Sequence, residues 1–280
     1  RSAFVEDPLR VLRVARFAAR FNFQVADETG KLMQTISDSG ELDTLVAERV
    51  WTELERALNE KYPVRFFEVL RDCGALEKVF PEIDRLFGVP QPELHHPEID
   101  SGIHTMMVLE QSCKLTEDPL IRFAALVHDL GKGTTPKAQW PSHRGHEERS
   151  VKLIQVLCDR YRIPGRYRDL AVIVARHHLD CHRIKEMRAD TILRKLEAMD
   201  AFRRPERFEQ FLLACEADIR GRKGFENRPY PQAQYLQAAM AAANNIDTGI
   251  IQKESLSGKK IAEAIRKLRT RAIEDAIKSI

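Results

Sequence analysis

Apolar residues recur along most of this chain at intervals of three and four, and the strict alternation that a half-buried strand requires is nearly absent. Leu9, Leu12, Val14, Phe17, Ala18 and Phe21 form one such row, Val50, Leu54, Ala57 and Leu58 a second, and Phe66, Phe67, Val69, Leu70 and Leu76 a third. Turn-forming residues interrupt the rows at Asp38-Ser39-Gly40, Tyr62-Pro63, Cys73-Gly74, Phe80-Pro81 and Ile163-Pro164-Gly165. The pattern predicts helices of about 10 to 18 residues joined by short loops, and hence an all-α fold. Pro90, Pro92 and Pro97 mark the strongest boundary signal, and the stretch from Gly221 to Pro231 a second. The expected segments are 1–94, 95–220 and 221–280.

The chain has 280 residues, 43% apolar and 31% charged, which is core-forming material for one large or two modest domains and excludes a disordered tail. No window approaches the ~18 consecutive apolar residues of a membrane span. Five scattered cysteines without a C-x-x-C pair suit reduced thiols in the cytoplasm better than a disulfide framework or a thiolate zinc site. The chain starts at Arg1 with no leader-like stretch, which suggests a fragment or a missing start.

Net charge is +3, but residues 1–94 carry 13 basic against 17 acidic side chains and residues 203–280 carry 15 against 10. Basic charge accumulates toward the C-terminus. Arg203-Arg204, Arg220-x-Arg222-Lys223 and the run Lys259, Lys260, Arg266, Lys267, Arg269 and Arg271 suit either a phosphate backbone or solvated helix faces. Arg266, Lys267 and Arg269 are the candidates for such a phosphate contact.

All nine histidines lie between positions 95 and 182. His104 opens a helix. Ala125-Leu126-Val127-His128-Asp129-Leu130-Gly131-Lys132 ends another with an adjacent imidazole and carboxylate, which can reach one ion from a helix end. A His/Asp set without thiolates favours manganese, iron, nickel, cobalt or magnesium over structural zinc. His143 and His146 follow in a Gly-containing loop, His177-His178 at a helix end, and Asp218 in Glu216-Ala217-Asp218. This order resembles the HD phosphohydrolase superfamily. The resemblance implies His104, His128, Asp129 and Asp218 as primary ligands of a divalent metal (nickel, manganese, cobalt or magnesium), with His146 and His178 adding or orienting a second site. It also implies a metal-activated water attacking phosphorus, with His128 and Asp129 catalytic and Lys132 holding a substrate phosphate. His143 and His177 are open between ligand and structural roles, and His95, His96 and His182 read as surface or supporting residues.

The first helix carries arginines at three-residue spacing, Arg10, Arg13 and Arg16, with Asp7 as expected N-cap and Pro8 in its first turn. An amphipathic packing helix accounts for that periodicity. The whole string Glu6-Asp7-Pro8-Leu9-Arg10-Val11-Leu12-Arg13-Val14-Ala15-Arg16-Phe17 also resembles the nucleotide-selecting neck of bacterial class II tRNA nucleotidyltransferases, the CCA-adding enzymes. The likeness continues through Val69 to Leu76, Phe80 to Asp84, Leu86 to Pro90, His96-Pro97-Glu98-Ile99-Asp100, Gly102 to Thr105, His128 to Gly133 and Glu216 to Asp218. It loosens after Gly249.

The resemblance implies that Asp7 and Arg10 offer hydrogen-bonding edges to the incoming CTP or ATP base, supported by Glu6 and Arg13. It implies a multi-helix neck and body, an HD-type helical metal-binding domain and a helical tail, with tRNA and nucleotides as partners; pairing into a homodimer through the HD domain is left open. The HD domain is expected to be a phosphatase, 2′-nucleotidase and 2′,3′-cyclic phosphodiesterase. The family's Gly-Gly triphosphate loop and its Asp-x-Asp pair, which binds magnesium for nucleotidyl transfer, do not precede Arg1, so this chain alone is not expected to transfer nucleotides. Val5 stands where the family has Gly. Rival readings are a stand-alone HD nucleotide hydrolase, a poly(A) polymerase relative and a non-enzymatic RNA-binding helical module.

Overall fold

The computed structural model describes residues 7–93, 97–247, 249 and 258–278. Glu6, His95 and His96, singled out above, lie outside them. Among the described residues there are fourteen α-helices and no strand, as the apolar period predicts; one isolated antiparallel bridge joins Pro90 and Asp100. The chain divides into two compact units, Arg1–Arg176 with Leu213–Arg228, and His177–Leu212 with Pro229–Ile280.

The first unit contains α1 (Arg10–Phe21), α2 (Asp27–Asp38), α3 (Ala47–Asn59), α4 (Val64–Asp72), α5 (Ala75–Val79), α6 (Pro81–Asp84), α7 (Ser101–Leu115), α8 (Pro119–Val127) and α9 (His146–Arg160). Helix α10 (Gly165–His182) begins in the first unit and ends in the second, which holds α11 (Ala189–Ala198). Helix α12 (Pro205–Arg220) runs back into the first, and α13 (Pro231–Asn244) and α14 (Gly258–Ile277) complete the second.

Helix α1 buries Val11, Leu12, Ala15, Ala18 and Ala19 and packs on α3 and α4, which contribute Leu54, Leu58, Phe66, Phe67 and Leu70. Its start corrects the expected cap. The helix begins at Arg10 with Leu9 at the cap position, because residues 8 and 9 form a turn in which the Asp7 carbonyl accepts the Arg10 N–H; the Asp7 carboxylate still accepts the Leu9 N–H at 3.3 Å. The arginine row is also not one uniform face. Arg13 is exposed, whereas Arg16 is buried with its Nε 2.6 Å from Glu53.

Helix α8 is apolar almost throughout, with Ile121 and Phe123 to Val127 buried, so it serves as the central rod of the first unit. Asp118 caps it by accepting the Leu120 N–H, and Pro119 follows where no donor is needed. None of the described helices is long and apolar enough to cross a membrane.

Candidate metal centre

Three helix ends converge in the first unit. Val108 on α7, Ala125 on α8 and Ala217 on α12 form one fully buried cluster, and each lies within four residues of a candidate ligand: His104, His128 and Asp218. Small side chains allow the close approach. A Cβ on Gly221, just past α12, would stand 2.5 Å from the Val108 side chain, and one on Gly102 would stand 2.5 Å from Phe87. Asp100 caps α7 by accepting the Gly102 and Ile103 N–H groups, which fixes the turn that carries His104.

The next segment is held as tightly. After Asp129 the chain turns into a 3-10 helix, Leu130–Thr134, pressed onto the start of α9. The Gly131 N–H donates to Ser150 Oγ at 2.8 Å, and a Cβ at Gly131 would fall 2.1 Å from the His146 carbonyl oxygen. Glycine is therefore required there by contact, not by an unusual φ. This places His146, the first residue of α9, opposite Asp129.

Hydrogen bonds assign the ring protons. His128 Nδ1 is 2.8 Å from the Ala125 carbonyl and His146 Nδ1 is 2.9 Å from the His143 carbonyl; a carbonyl only accepts, so both Nδ1 atoms carry hydrogen and each neutral ring presents its lone pair at Nε2. Those Nε2 atoms face carboxylates. His146 Nε2 lies 3.0 Å from Asp129 Oδ1, His128 Nε2 lies 3.2 Å from Asp129 Oδ2 and 3.7 Å from Asp218 Oδ1, and His104 Nε2 lies 3.0 Å from Asp218 Oδ1. Lone pairs directed at carboxylate oxygens in a buried space need a proton or a cation between them. The donor atoms of His104, His128 and Asp218 all lie within 4.8 Å of one another. The donor set fits a divalent ion without thiolates.

Without an ion, the proton takes that place. Burial works against a charged His128, but the Asp129 and Asp218 carboxylates outweigh it and raise its pKa to about 10. Burial likewise opposes ionisation of Asp129, yet His128 and Lys132 hold its carboxyl well below the usual range. Lys132 Nζ lies 2.6 Å from Asp129 Oδ2 and donates to Gln91 Oε1.

His143 has both nitrogens engaged, Nδ1 at 2.9 Å from Thr135 Oγ1 and Nε2 at 2.9 Å from the Pro90 carbonyl, so it ties the Pro-rich segment to the loop before α9. Burial lowers its pKa, which suits a neutral structural ring. In the second unit, His177 Nδ1 pairs with Asp180, which also receives Lys195; His178 is buried with its ring 5.9 Å from that of His182, and His182 Nδ1 is 2.9 Å from the Tyr230 hydroxyl.

The other expected contacts are placed less openly than their charge suggests. Asp7 pairs with Arg49 at 2.8 Å, and that hydrogen bond lowers its pKa; Arg10 is half-buried. In the second unit, Arg266 pairs with Glu197 at 2.9 Å and Arg269 lies over the Phe202 ring at 4.4 Å, while Lys267 and Arg271 are exposed. Glu98, Gln91 and Arg49 are partners that the sequence reading did not single out. Glu98 directly follows, and Gln91 sits in, the Pro-rich stretch taken for a boundary, where only buried-type polar residues beside the prolines could have signalled them.

An all-α body in which a buried His-Asp pair meets further histidines and an aspartate defines a protein of the HD type, and residues 102–204 match the HD domain family. Residues 22–87 match a second family, described as the probable RNA and SrmB-binding site of polymerase A. The chain is 63% identical over 275 residues to the multifunctional CCA protein of Thioalkalivibrio sulfidiphilus, covering 97% of this chain and 67% of that protein. It is 58% identical to the multifunctional CCA protein of Nitrosococcus oceani, covering 98% and 68%. The chain belongs to the multifunctional CCA protein family and spans about two thirds of the length of these relatives. The fold is similar to that of a CCA-adding enzyme in complex with ATP (TM-score 0.61, 16% identity, 97% of this chain and 57% of that one). It is also similar to a Thermotoga maritima CCA-adding enzyme complexed with tRNA (TM-score 0.56, 15% identity, 99% and 62%).

Proposed function

We propose that this chain is the neck, HD and tail portion of a cytoplasmic tRNA nucleotidyltransferase that builds and repairs the 3′-CCA end from CTP and ATP, and that its HD domain is a metal-dependent phosphohydrolase. The observation that carries the second half is the set of Nε2 lone pairs on His104, His128 and His146 turned toward Asp129 and Asp218. These five residues are proposed to hold the ion, nickel, manganese, cobalt or magnesium. A divalent ion in such a site supplies Lewis-acid polarisation and a water acidified to near neutrality. The chain's own groups do the rest. Lys132, steadied by Gln91 and Asp129, would offer its ammonium to a phosphoryl oxygen of a 2′,3′-cyclic phosphate or a 2′-phosphate. With its Nδ1–H on the Ala125 carbonyl and its Nε2 toward the ion, His128 would act by holding it, as would Asp129.

In the whole enzyme, Asp7 and Arg10 would present acceptor and donor edges to the nucleotide base, with Glu6 and Arg13 in support and magnesium held elsewhere for nucleotidyl transfer. Segment 1–94 would serve base selection and tRNA contact, 95–220 hydrolysis and pairing into a homodimer, and 221–280 tRNA contact through Arg266, Lys267 and Arg269. Solved CCA-adding enzymes of similar fold are bound to ATP, to CTP and to tRNA, which supports nucleotides and tRNA as the partners.

The test is hydrolysis of a 2′,3′-cyclic nucleotide by this chain with Ni2+ or Mn2+. Chelation and Asp129→Ala should each abolish turnover with helical content unchanged. Undiminished hydrolysis by the Asp129→Ala protein at unchanged metal content refutes the assignment.

A further inference from the structure

One buried carboxylate beside the HD cluster has no part in the ligand set. Glu98, with only 2% of its side chain exposed, places Oε1 3.0 Å from His104 Nδ1, while its Oε2 accepts the Lys223 N–H at 3.3 Å. It therefore touches the helix that carries His104 and the turn that follows the helix carrying Asp218.

We propose that Glu98 is a positioning residue for the metal centre: it takes the Nδ1–H of His104 and so turns that ring's Nε2 lone pair inward, beside Asp218. The inference rests on the metal-centre reading above. His128 and His146 have their Nδ1–H groups taken by main-chain carbonyls one turn away, Ala125 and His143. At His104 the corresponding carbonyl, that of Ser101, accepts the Thr105 hydroxyl at 2.8 Å, and a side chain performs the same task. A carboxylate on the outer nitrogen of a ligating histidine fixes ring orientation and raises ligand basicity.

The backbone around Glu98 is shaped for that placement. Ile99, a β-branched residue, has φ +61, a left-handed conformation that such residues avoid. The main chain on either side is pinned: the Gln91 N–H donates to the Ile99 carbonyl, the Ser101 N–H donates to the Val89 carbonyl, and Asp100 Oδ2 accepts the Gly88 N–H. Strain of this kind persists where the surroundings over-determine it. Here it permits Asp100 to cap α7 while Glu98, two residues earlier, turns back onto the ring in that helix's first turn.

The experiment titrates the metal-free chain with Ni2+ alone by calorimetry, for wild type, Glu98→Gln and Glu98→Ala, with circular dichroism of each. Glu98→Ala should bind Ni2+ about 10 to 100-fold more weakly. Glu98→Gln, whose amide oxygen still accepts from Nδ1–H, should recover most of that loss. In the Zn2+-loaded wild type, a slowly exchanging ring N–H of His104, identified by its absence in His104→Gln, should be present and should be lost in Glu98→Ala. Equal Ni2+ affinity in all three chains overturns the role of Glu98 while leaving the metal centre standing, as does a Glu98→Gln loss equal to that of Glu98→Ala. Should Glu98→Ala not fold, Glu98→Gln decides: an unaltered His104 N–H supports the proposal and its disappearance overturns it. A wild-type chain that binds no Ni2+ refutes the metal centre itself.

Discussion

Gly131 follows the His-Asp pair by two residues, and the geometry around it sets the effect of adding one methyl group. The new Cβ would lie 2.1 Å from the His146 carbonyl oxygen, 2.6 Å from the Ser150 nitrogen and 2.9 Å from the Arg149 Cβ, against the 3.4 Å at which ordinary contact begins. Two of those atoms are helix backbone, so relief requires the Leu130–Thr134 turn and the start of α9 to separate by about 1 Å, and overpacking of this kind costs about 3 kcal/mol. The same separation pulls His146 from Asp129, now 3.0 Å apart, and displacements near 1 Å cost catalysis roughly 100-fold. Gly131→Ala should therefore lower both the denaturation midpoint and Ni2+-supported hydrolysis. Gly30→Ala is the matched control: it lies inside α2 with no atom within 4 Å of a new Cβ, and should stabilise by about 0.5 to 1 kcal/mol. A Gly131→Ala protein with wild-type midpoint and turnover would refute the packing argument.

The histidines give a pH test with opposite signs. His143 is depressed below its unfolded value of 6.5, so its contribution is present above that pH and lost as pH falls; denaturation of the metal-free chain at pH 7.5 and 5 should show a smaller acid loss for His143→Gln than for wild type. His128, raised to about 10, contributes in full below 6.5 and loses its contribution as pH rises through 10, so His128→Gln should flatten the alkaline limb of the metal-free chain. Binding of this chain to tRNA should fall steeply with salt, and Lys267→Ala with Arg271→Ala should reduce the salt slope more than loss of Arg266, which is paired with Glu197, when log K is plotted against log salt. Burial pushes the Cys158 thiol up to about 12, so it should resist alkylation at pH 8 until denaturant is added, as judged by mass spectrometry.

The all-α class and the His-Asp constellation were legible because each depends on local order. Apolar spacing of three and four builds helices such as α1, α3 and α4, and an imidazole-carboxylate pair at the end of the apolar helix α8 needs no tertiary information to be noticed. Other features depend on what meets what. Arg16 is indistinguishable in sequence from Arg13, yet it is buried against Glu53 because α3 crosses that side of α1. His143 and His146 share a loop and a residue type, and only the tertiary position of the Pro90 carbonyl makes one a tie while the other faces Asp129. The stretch after Leu86 carries prolines that read as a linker, although the side chains of Gln91 within it and Glu98 just after it are buried at the site.

That stretch shows why a Pro-rich segment need not separate what it joins. Pro90 offers its carbonyl to His143 and pairs with Asp100, Gln91 holds Lys132, and Glu98 meets His104. Prolines donate no N–H, so their carbonyls and the polar side chains between them remain available to a neighbouring loop rather than being consumed in a helix. The segment that leads out of the body helices thus forms one wall of the histidine cluster. Relieving its strain should be separable from disturbing that wall: Ile99→Gly accepts φ +61 without penalty and should raise the denaturation midpoint, or leave it level once chain entropy is counted, with Ni2+ affinity preserved as long as Glu98 stays in register. A loss of Ni2+ affinity in Ile99→Gly at unchanged stability would mean that the isoleucine's stiffness, and not only the hydrogen bonds around it, holds Glu98 on His104.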